Sequence, residues 1–343
     1  MMEDDDESRN RFLDEYSKDI YPLVMILCMT HNRPEYFKIA LDSAIHQTYR
    51  NLDIFISDDS SDTRTKEMIE REYHDPRIHY EYNPGFTAVS NNKHAAEYDN
   101  PDAEFINWLM DDDYFMPNKI ERMVEAMLAN PSCSLCTSYR ILIDEEGKRM
   151  PDIKITKPLS QTDSLFDGDR MGRLILADCT NYIGEPTTVL YRKAAFPQGK
   201  QQYHTEAGVY GLGDILNWAQ LLAKGNCYYI VEPLSAFRIH KKQLQNNYEV
   251  EISLMIKFCF FYKFAIDWSK FLHIQENKVL VLCKIYKDSF SCLLSILSLD
   301  FSYWNNIQVK RLRKIMAVFA HALETDDFSH MDFGIDTDFE VPD

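Results

Sequence analysis

An α/β protein, with a largely parallel sheet covered by helices on both faces, is what the sequence predicts, and three observations predict it. "LVMILCM" at 23–29 is a continuous apolar run, as expected of a strand buried on two sides, and "EFINWLM" at 104–110 is a largely apolar strand. Through the first half of the chain such runs alternate with segments whose apolar residues recur at helical spacing. Polar clusters at 30–33, 58–62 and 111–113 each follow a strand-like run. In sheets of this kind, ligands bind beyond the carboxyl ends of the strands.

Taken in order, the first strand is 23–29. Pro34 stands where the next helix begins, and Phe37, Ala40, Leu41, Ala44 and Ile45 follow at helical spacing. "DIFIS" at 53–57 is a second strand, 63–72 a helix, "RIHYEY" at 77–82 a strand and 87–98 a helix. After the strand 104–110, Pro117 opens a helix over 118–130. "SLCTSYRILIDEEGKRM" reads as a hairpin turning at Glu145–Lys148, and "TTVLYR" at 187–192 as a strand after loop-like sequence. Residues 213–225 form a helix, with Asp214 at its start and Gly225 just past its end. "CYYIV" at 227–231 is a short strand, and 248–324 is helical and rich in Phe, Leu and Ile. The domain plan is a flexible acidic N-terminus (1–19), an α/β domain (20–246), a helical subdomain (247–325) and a mobile acidic tail (326–343).

The chain has 343 residues and a formal net charge of -17, with 37 Lys and Arg against 54 Asp and Glu. That balance excludes a binder of nucleic-acid backbones, which needs clustered positive charge. The eight cysteines form no paired CxxC array, and they read as reduced core residues of a cytoplasmic protein. No apolar run reaches membrane-spanning length, because "SLMIKFCFFYKFAIDW" is broken by Lys257, Lys263 and Asp267. "QVKRLRKIMAVFAHAL" at 308–323 is basic at its start and apolar after, which fits either peripheral membrane contact or a homo-oligomer formed through these helices.

The triplet Asp111-Asp112-Asp113 stands out because adjacent carboxylates repel unless a cation, hydrogen-bond donors or solvent relieves them. Mg²⁺ or Mn²⁺ binds through one or two carboxylates plus phosphate oxygens, so an acidic strand end suits a metal-bound nucleotide diphosphate. By itself the triplet reads equally as an acidic turn that caps the next helix. "ISDDSSD" carries a second acidic strand end, at Asp58 and Asp59, with the same two readings: a polar turn, or an acceptor for base or ribose hydrogens.

The stretches "ILCMTHNRPEYFKIALDSAIHQTYRNLDIFISDDSSD", "YNPGFTAVSNNKHAA", "FINWLMDDDYFMP", "GLGDILNWAQLLAKG" and "EPLSAFRIHKKQ" occur in one order over residues 20–245. In that order the sequence resembles the inverting glycosyltransferases of family 2. The resemblance implies the GT-A fold, a Rossmann-like mixed sheet of nucleotide-diphospho-sugar transferases, and transfer from a UDP-sugar donor to a hydroxyl of a glycan acceptor. It implies nucleotide contacts from Thr30, His31, Asn32, Asp58, Asp59, Asn83 and Asp111, and Mn²⁺ or Mg²⁺ held by Asp112, Asp113 and His240. Asp214 is the implied catalytic base, with Glu185 on the acceptor side. Trp218, one turn after Asp214 in a chain rich in aromatics, reads either as a face that stacks on an acceptor sugar or as a core residue. The chain departs from the family pattern at Gly213, where an acid is usual, and at Ser90, where an Arg is frequent; Arg33 or Lys93 would then supply the missing contact. Two other readings stay open at this level: a non-catalytic binding partner of another glycosyltransferase, and a nucleotidyltransferase, against which the glycine-free loop "CMTHNRPEY" counts.

Overall fold

A computed structural model describes residues 21–196, 213–240, 248–267, 269, 271–329 and 331–333. The expected N-terminal segment 1–19 and the tail beyond 333 lie outside the described residues. The alternating elements are β1 (Leu23–Thr30), α1 (Pro34–Ile45), β2 (Leu52–Asp58), α2 (Arg64–Glu72), β3 (Ile78–Tyr82), α3 (Ala88–Glu97) and β4 (Ala103–Met110). Then come β5 (Tyr114–Phe115), α4 (Lys119–Ala129), β6 (Cys133–Ile143), β7 (Arg149–Met150), β8 (Ser164–Phe166), α5 (Gly168–Asp178) and β9 (Leu190–Arg192). The chain continues through α6 (Gly213–Lys224), β10 (Asn226–Arg238), α7 (Tyr248–Asp267), α8 (Gln275–Leu299) and α9 (Ile307–Thr325).

One sheet runs β3-β2-β1-β4-β9-β6-β10-β5, with β7 on β6 and β8 on β10. β1 is parallel to both β2 and β4, with Thr30 opposite Asp58 and Met29 opposite Met110. That register brings the carboxyl ends of the three strands, with their polar clusters, to one edge. Along β1, Val24, Ile26 and Cys28 pack into one apolar cluster with α1 and α4, while Met25 and Leu27 pack into the other. The alternation is the period of two expected of a strand with helices on each side.

The sheet is mixed, as the family resemblance implies, because β9 lies antiparallel between β4 and β6. Residues 186–188 do not open this strand as expected. They form a 3₁₀ turn starting at Pro186, whose ring pre-sets a helical φ and whose missing N–H is not needed there. β10 is longer than the expected 227–231 because Pro233 sits at a register shift, where a bulge spares the ladder a missing donor. Helix α5 falls in a stretch that reads as loop. Its two glycines weaken the helical signal, yet both are required by packing. A Cβ on Gly168 would meet the Gly225 carbonyl oxygen at 2.2 Å, and one on Gly172 would meet the Phe271 ring at 2.6 Å.

The helical subdomain shares its core with the sheet: Met25, Leu27 and Trp108 belong to the same cluster as Phe261, Leu282 and Phe319. The first part of the acidic tail is also packed, with Phe328, Met331 and Phe333 buried and Phe333 edge-on to Phe260 and Phe319. The described part of that segment therefore does not behave as the mobile tail expected from its charge. No disulfide forms among the described residues.

Candidate active site

The turn after β1 is braced against the turn after β2. Asn32 has a left-handed φ of 53°, which Asn tolerates, and its backbone N–H donates to Ser60 Oγ at 2.8 Å. Its side-chain oxygen accepts from the Ser61 N–H at 3.0 Å. His31 Nδ1 lies 3.2 Å from Asp59 Oδ1, and Asn91 Nδ2 donates to the same oxygen at 3.0 Å. Burial raises the Asp59 pKa, while the neighbouring His31 opposes the rise. The Thr30 hydroxyl is buried with no hydrogen-bond partner among the described residues, an uncommon state. Asp58 is wholly buried, its oxygens taken by the Tyr80 hydroxyl at 2.7 Å and the Ser60 N–H at 2.8 Å. Asn83 sits beside it, its backbone N–H donating to the Asp58 carbonyl at 2.7 Å.

The acidic triplet splits into two environments. Asp111 accepts from the His31 backbone N–H at 3.2 Å and from Arg33 Nη1 at 3.1 Å. Burial, and then the charge of Asp112, push its pKa up to about 6, with Arg33 pulling the other way. Asp112 Oδ2 is 3.1 Å from Arg33 Nη1 and 2.9 Å from His240 Nε2. Asp113, expected with Asp112 as a metal ligand, turns away. Its oxygens accept from the Thr187 hydroxyl at 2.7 Å and the Arg238 backbone N–H at 3.0 Å, so its carboxylate is spent on the frame. Burial foremost, with the charge of Asp112 next, raises its pKa well above the usual range.

Among the described residues no three His, Cys, Asp or Glu side chains converge as a metal site. Asp112 Oδ2 and His240 Nε2 nonetheless fit two adjacent positions on one small divalent cation. Bonds of about 2.0–2.1 Å at right angles place neighbouring donor atoms about 2.9–3.0 Å apart.

The second half of the site is organised by the loop 180–188, from which the sequence singled out Glu185 but not Asn181. Asn181 Nδ2 donates to Asp214 Oδ2 at 3.1 Å and to the Gly184 carbonyl at 3.1 Å. Asp214 is half-buried at the start of α6, and its other oxygen accepts from the Ile215 N–H. Burial raises its pKa; Lys257 opposes this and Glu185 adds to it. At the far end of the loop, Thr187 bonds both Asp113 and the Met110 N–H, so one segment ties Asp214 to the acidic triplet. Glu185 does not stand open to an acceptor but is ion-paired with the buried Arg140, Nε to Oε2 2.7 Å. Trp218 is corrected to a core residue: it is 1% exposed and donates Nε1–H to the Gly184 carbonyl at 2.9 Å, so no face is available for stacking on a sugar.

Lys93 is not drawn into the cluster; it is exposed and within 3.7 Å of Glu97 on its own helix. Ser90, at the position of the frequent family Arg, closes a capping box with Thr87. Two buried residues beneath the site carried no readable signal. Arg238 donates Nε–H to the Asp112 carbonyl at 2.8 Å and Nη1 to the carbonyls of Asp144 and Glu145, fastening the acidic turn to the β6–β7 hairpin. Lys119 donates to Asn107 Oδ1 at 2.7 Å and to the Thr188 carbonyl, and burial lowers its pKa to about 7. A recess of about 630 Å³ beside Ser132, Arg192 and Lys224 lies near the amino end of β6, at the edge opposite the acidic clusters.

Residues 25–197, just over half of the chain, match the profile of Glycosyl transferase family 2. The chain belongs to this family. It is a glycosyltransferase. An uncharacterized glycosyltransferase of Rickettsia typhi is 28% identical over 66% of this chain and 67% of its own length. Another, from Rickettsia conorii, is 34% identical over 39% of this chain but only 22% of its own length. An Escherichia coli UDP-Glc:α-D-GlcNAc-diphosphoundecaprenol β-1,3-glucosyltransferase is 30% identical over 39% of this chain and 53% of its own. The crystal structure of Staphylococcus aureus TarS 1–349 in complex with UDP-GlcNAc superposes with a TM-score of 0.49 at 11% identity, over 90% of this chain and 94% of that one. Among the described residues of the glycosyltransferase, no helix is long and apolar enough to cross a membrane.

Proposed function

We propose that the protein transfers a sugar from a UDP-sugar to a hydroxyl of a glycan acceptor, inverting the anomeric centre and requiring Mn²⁺ or Mg²⁺. The observation that carries this reading is the meeting of Asp111 and Asp112 with Arg33, the His31 N–H and His240 at the carboxyl edge of the sheet. Asp111 accepts ribose hydroxyl hydrogens. Asp59, fixed by His31 and Asn91, is better placed than the fully enclosed Asp58 to accept from the base. Arg33, which bridges the two aspartates through one nitrogen, would pair with the diphosphate of a nucleotide bound beside a divalent cation. Asp112 and His240 would hold that cation, which supplies Lewis-acid stabilisation of the charge on the departing UDP.

Asp214 takes the proton of the acceptor hydroxyl as its oxygen bonds to the anomeric carbon. The bond from that carbon to the UDP oxygen breaks on the opposite face, and UDP leaves with the electron pair. No enzyme-bound sugar forms. A carboxylate whose pKa is raised by burial, yet which accepts two N–H donors, is suited to a base working near neutral pH. The Escherichia coli relative, and a Campylobacter jejuni GalNAc(5)-diNAcBac-PP-undecaprenol β-1,3-glucosyltransferase that is 27% identical over 30% of this chain, are named for lipid-diphosphate-linked acceptors. Those names favour a lipid-linked saccharide within the acceptor class.

The test is UDP release from a panel of UDP-sugars, with Mn²⁺ and then with EDTA. Release from one donor, abolished by EDTA and by Asp112→Ala, supports the reading. Release that survives EDTA removes the metal from it. If neither turnover nor calorimetric UDP binding is seen, the nucleotide pocket is wrong.

A further inference from the structure

Where α8 turns into α9, the described residues expose a run of large apolar side chains. Phe290 and Leu294 lie on the solvent face of α8, followed by Leu299, Phe301, Trp304 and Ile307 around the corner. Leu299 is 66% and Phe301 69% exposed, and the Phe301 and Trp304 rings stack with their planes 7° apart. Single exposed apolar residues are ordinary; a contiguous aromatic and aliphatic edge marks a contact surface.

The charge beside this edge is opposite to that of the whole chain. Residues 301–323 contain Lys310, Arg311, Arg313 and Lys314 and no Asp or Glu, in a protein of net charge -17. Lys310 and Lys314 are exposed three and seven residues after Ile307, hence on the same helical stripe. Arg313 lies over the Trp304 ring at 3.4 Å. Lys287 is exposed one turn before Phe290. The one acid at the corner, Asp300, turns to the Ser302 N–H at 2.8 Å.

From this arrangement we propose that the α8–α9 corner is a docking surface for an anionic lipid bilayer. Trp and Phe side chains seat at the boundary between headgroup and acyl chain, and flanking lysines and arginines pair with acidic headgroups. Repulsion of the acidic remainder from the same membrane would orient the protein with this corner down. A second copy of the chain is a poorer occupant: a two-fold contact through this edge would bring Lys310 and Lys314 against their own counterparts. The inference goes beyond glycosyl transfer and stands independently of it, since the assay needs no donor or acceptor.

The experiment is sedimentation of the full chain with phosphatidylcholine vesicles, with and without phosphatidylglycerol, at low and high salt. The protein is expected to bind the anionic vesicles, and more weakly as salt rises. Phe301→Ser with Trp304→Ser, and separately Lys310→Glu with Lys314→Glu, should each lower partitioning by at least about tenfold at an unchanged melting temperature. As a second readout, vesicles should shift tryptophan emission to the blue in the native protein and not in Trp304→Phe. Absence of binding to anionic vesicles, or variants that bind as well as the native chain, would overturn the proposal. So would a dimer that dissociates on Phe301→Ser in a protein that ignores vesicles.

Discussion

The proposed donor half and the proposed acceptor half of the site are built by different means. On the donor side, three parallel strands end in register, and backbone ladders carry Thr30, Asp58 and Met110 to one edge. On the acceptor side, Asp214 is held through Asn181 by the loop 180–188, whose position depends on side-chain bonds such as Thr187 to Asp113. The first half is fixed by the fold itself. The second depends on a few polar contacts, so single substitutions there should change chemistry and geometry together.

The strongest way to separate the halves is Asp214→Asn. It keeps the shape and removes the proposed base, so turnover should fall about 10²–10⁴-fold while UDP affinity by calorimetry stays put. Near-native turnover would place the base elsewhere. Asn181→Ala tests the loop more gently. Without that N–H donor the charged form of Asp214 loses support and its pKa rises, so the acid limb of the kcat/KM profile should move to higher pH. An unmoved limb would mean that Asn181 does not tune the carboxylate.

Trp218→Ala asks whether the start of α6 is packing or binding surface. The structure predicts a loss of about 3–5 kcal/mol in unfolding free energy with unchanged UDP affinity in the folded protein. Retained stability with a raised acceptor KM would return Trp218 to the acceptor site. On the donor side, Asp111 should make the metal-free protein lose stability as pH rises. A carboxyl whose pKa is raised to about 6 by folding contributes fully below the unfolded value near 3.8. That contribution disappears as pH climbs through about 6. The fall in unfolding free energy between pH 5 and 8 should therefore be smaller in Asp111→Asn than in the native chain, by on the order of 1 kcal/mol. Equal slopes would mean the group is not strained. The smallest effect belongs to Lys93→Ala, which should leave UDP affinity within about twofold because the side chain is exposed and away from the cluster. A tenfold loss would restore Lys93 as a phosphate ligand.

The same division explains what was legible in the sequence. β1 announces itself by an unbroken apolar run and β2 and β4 by largely apolar ones, and the polar residues after them are readable as a site because strand ends are where such sheets bind. Asp111 and Asp112 came out of that reading together with Asp113. One residue along an irregular turn reverses a side chain, and no periodicity tells which of three aspartates points inward. Helix α5 was hidden because Gly168 and Gly172 answer to neighbours distant in sequence, Gly225 and Phe271. Arg238, Lys119 and Asn181 act through partners on other elements, which a linear pattern does not record. The extension of β10 past Pro233 was missed for a related reason, since a bulge is a property of two strands together.

The brace between Asn32 and the 60–61 turn has a thermodynamic consequence. Its hydrogen bonds are complete before any nucleotide arrives, so the conformational entropy of ordering the two turns is lost at folding and not at binding. Nucleotide association should then be rapid, with little rearrangement of the backbone around the base. Affinity should respond more to which groups the ligand presents than to any restructuring of the protein.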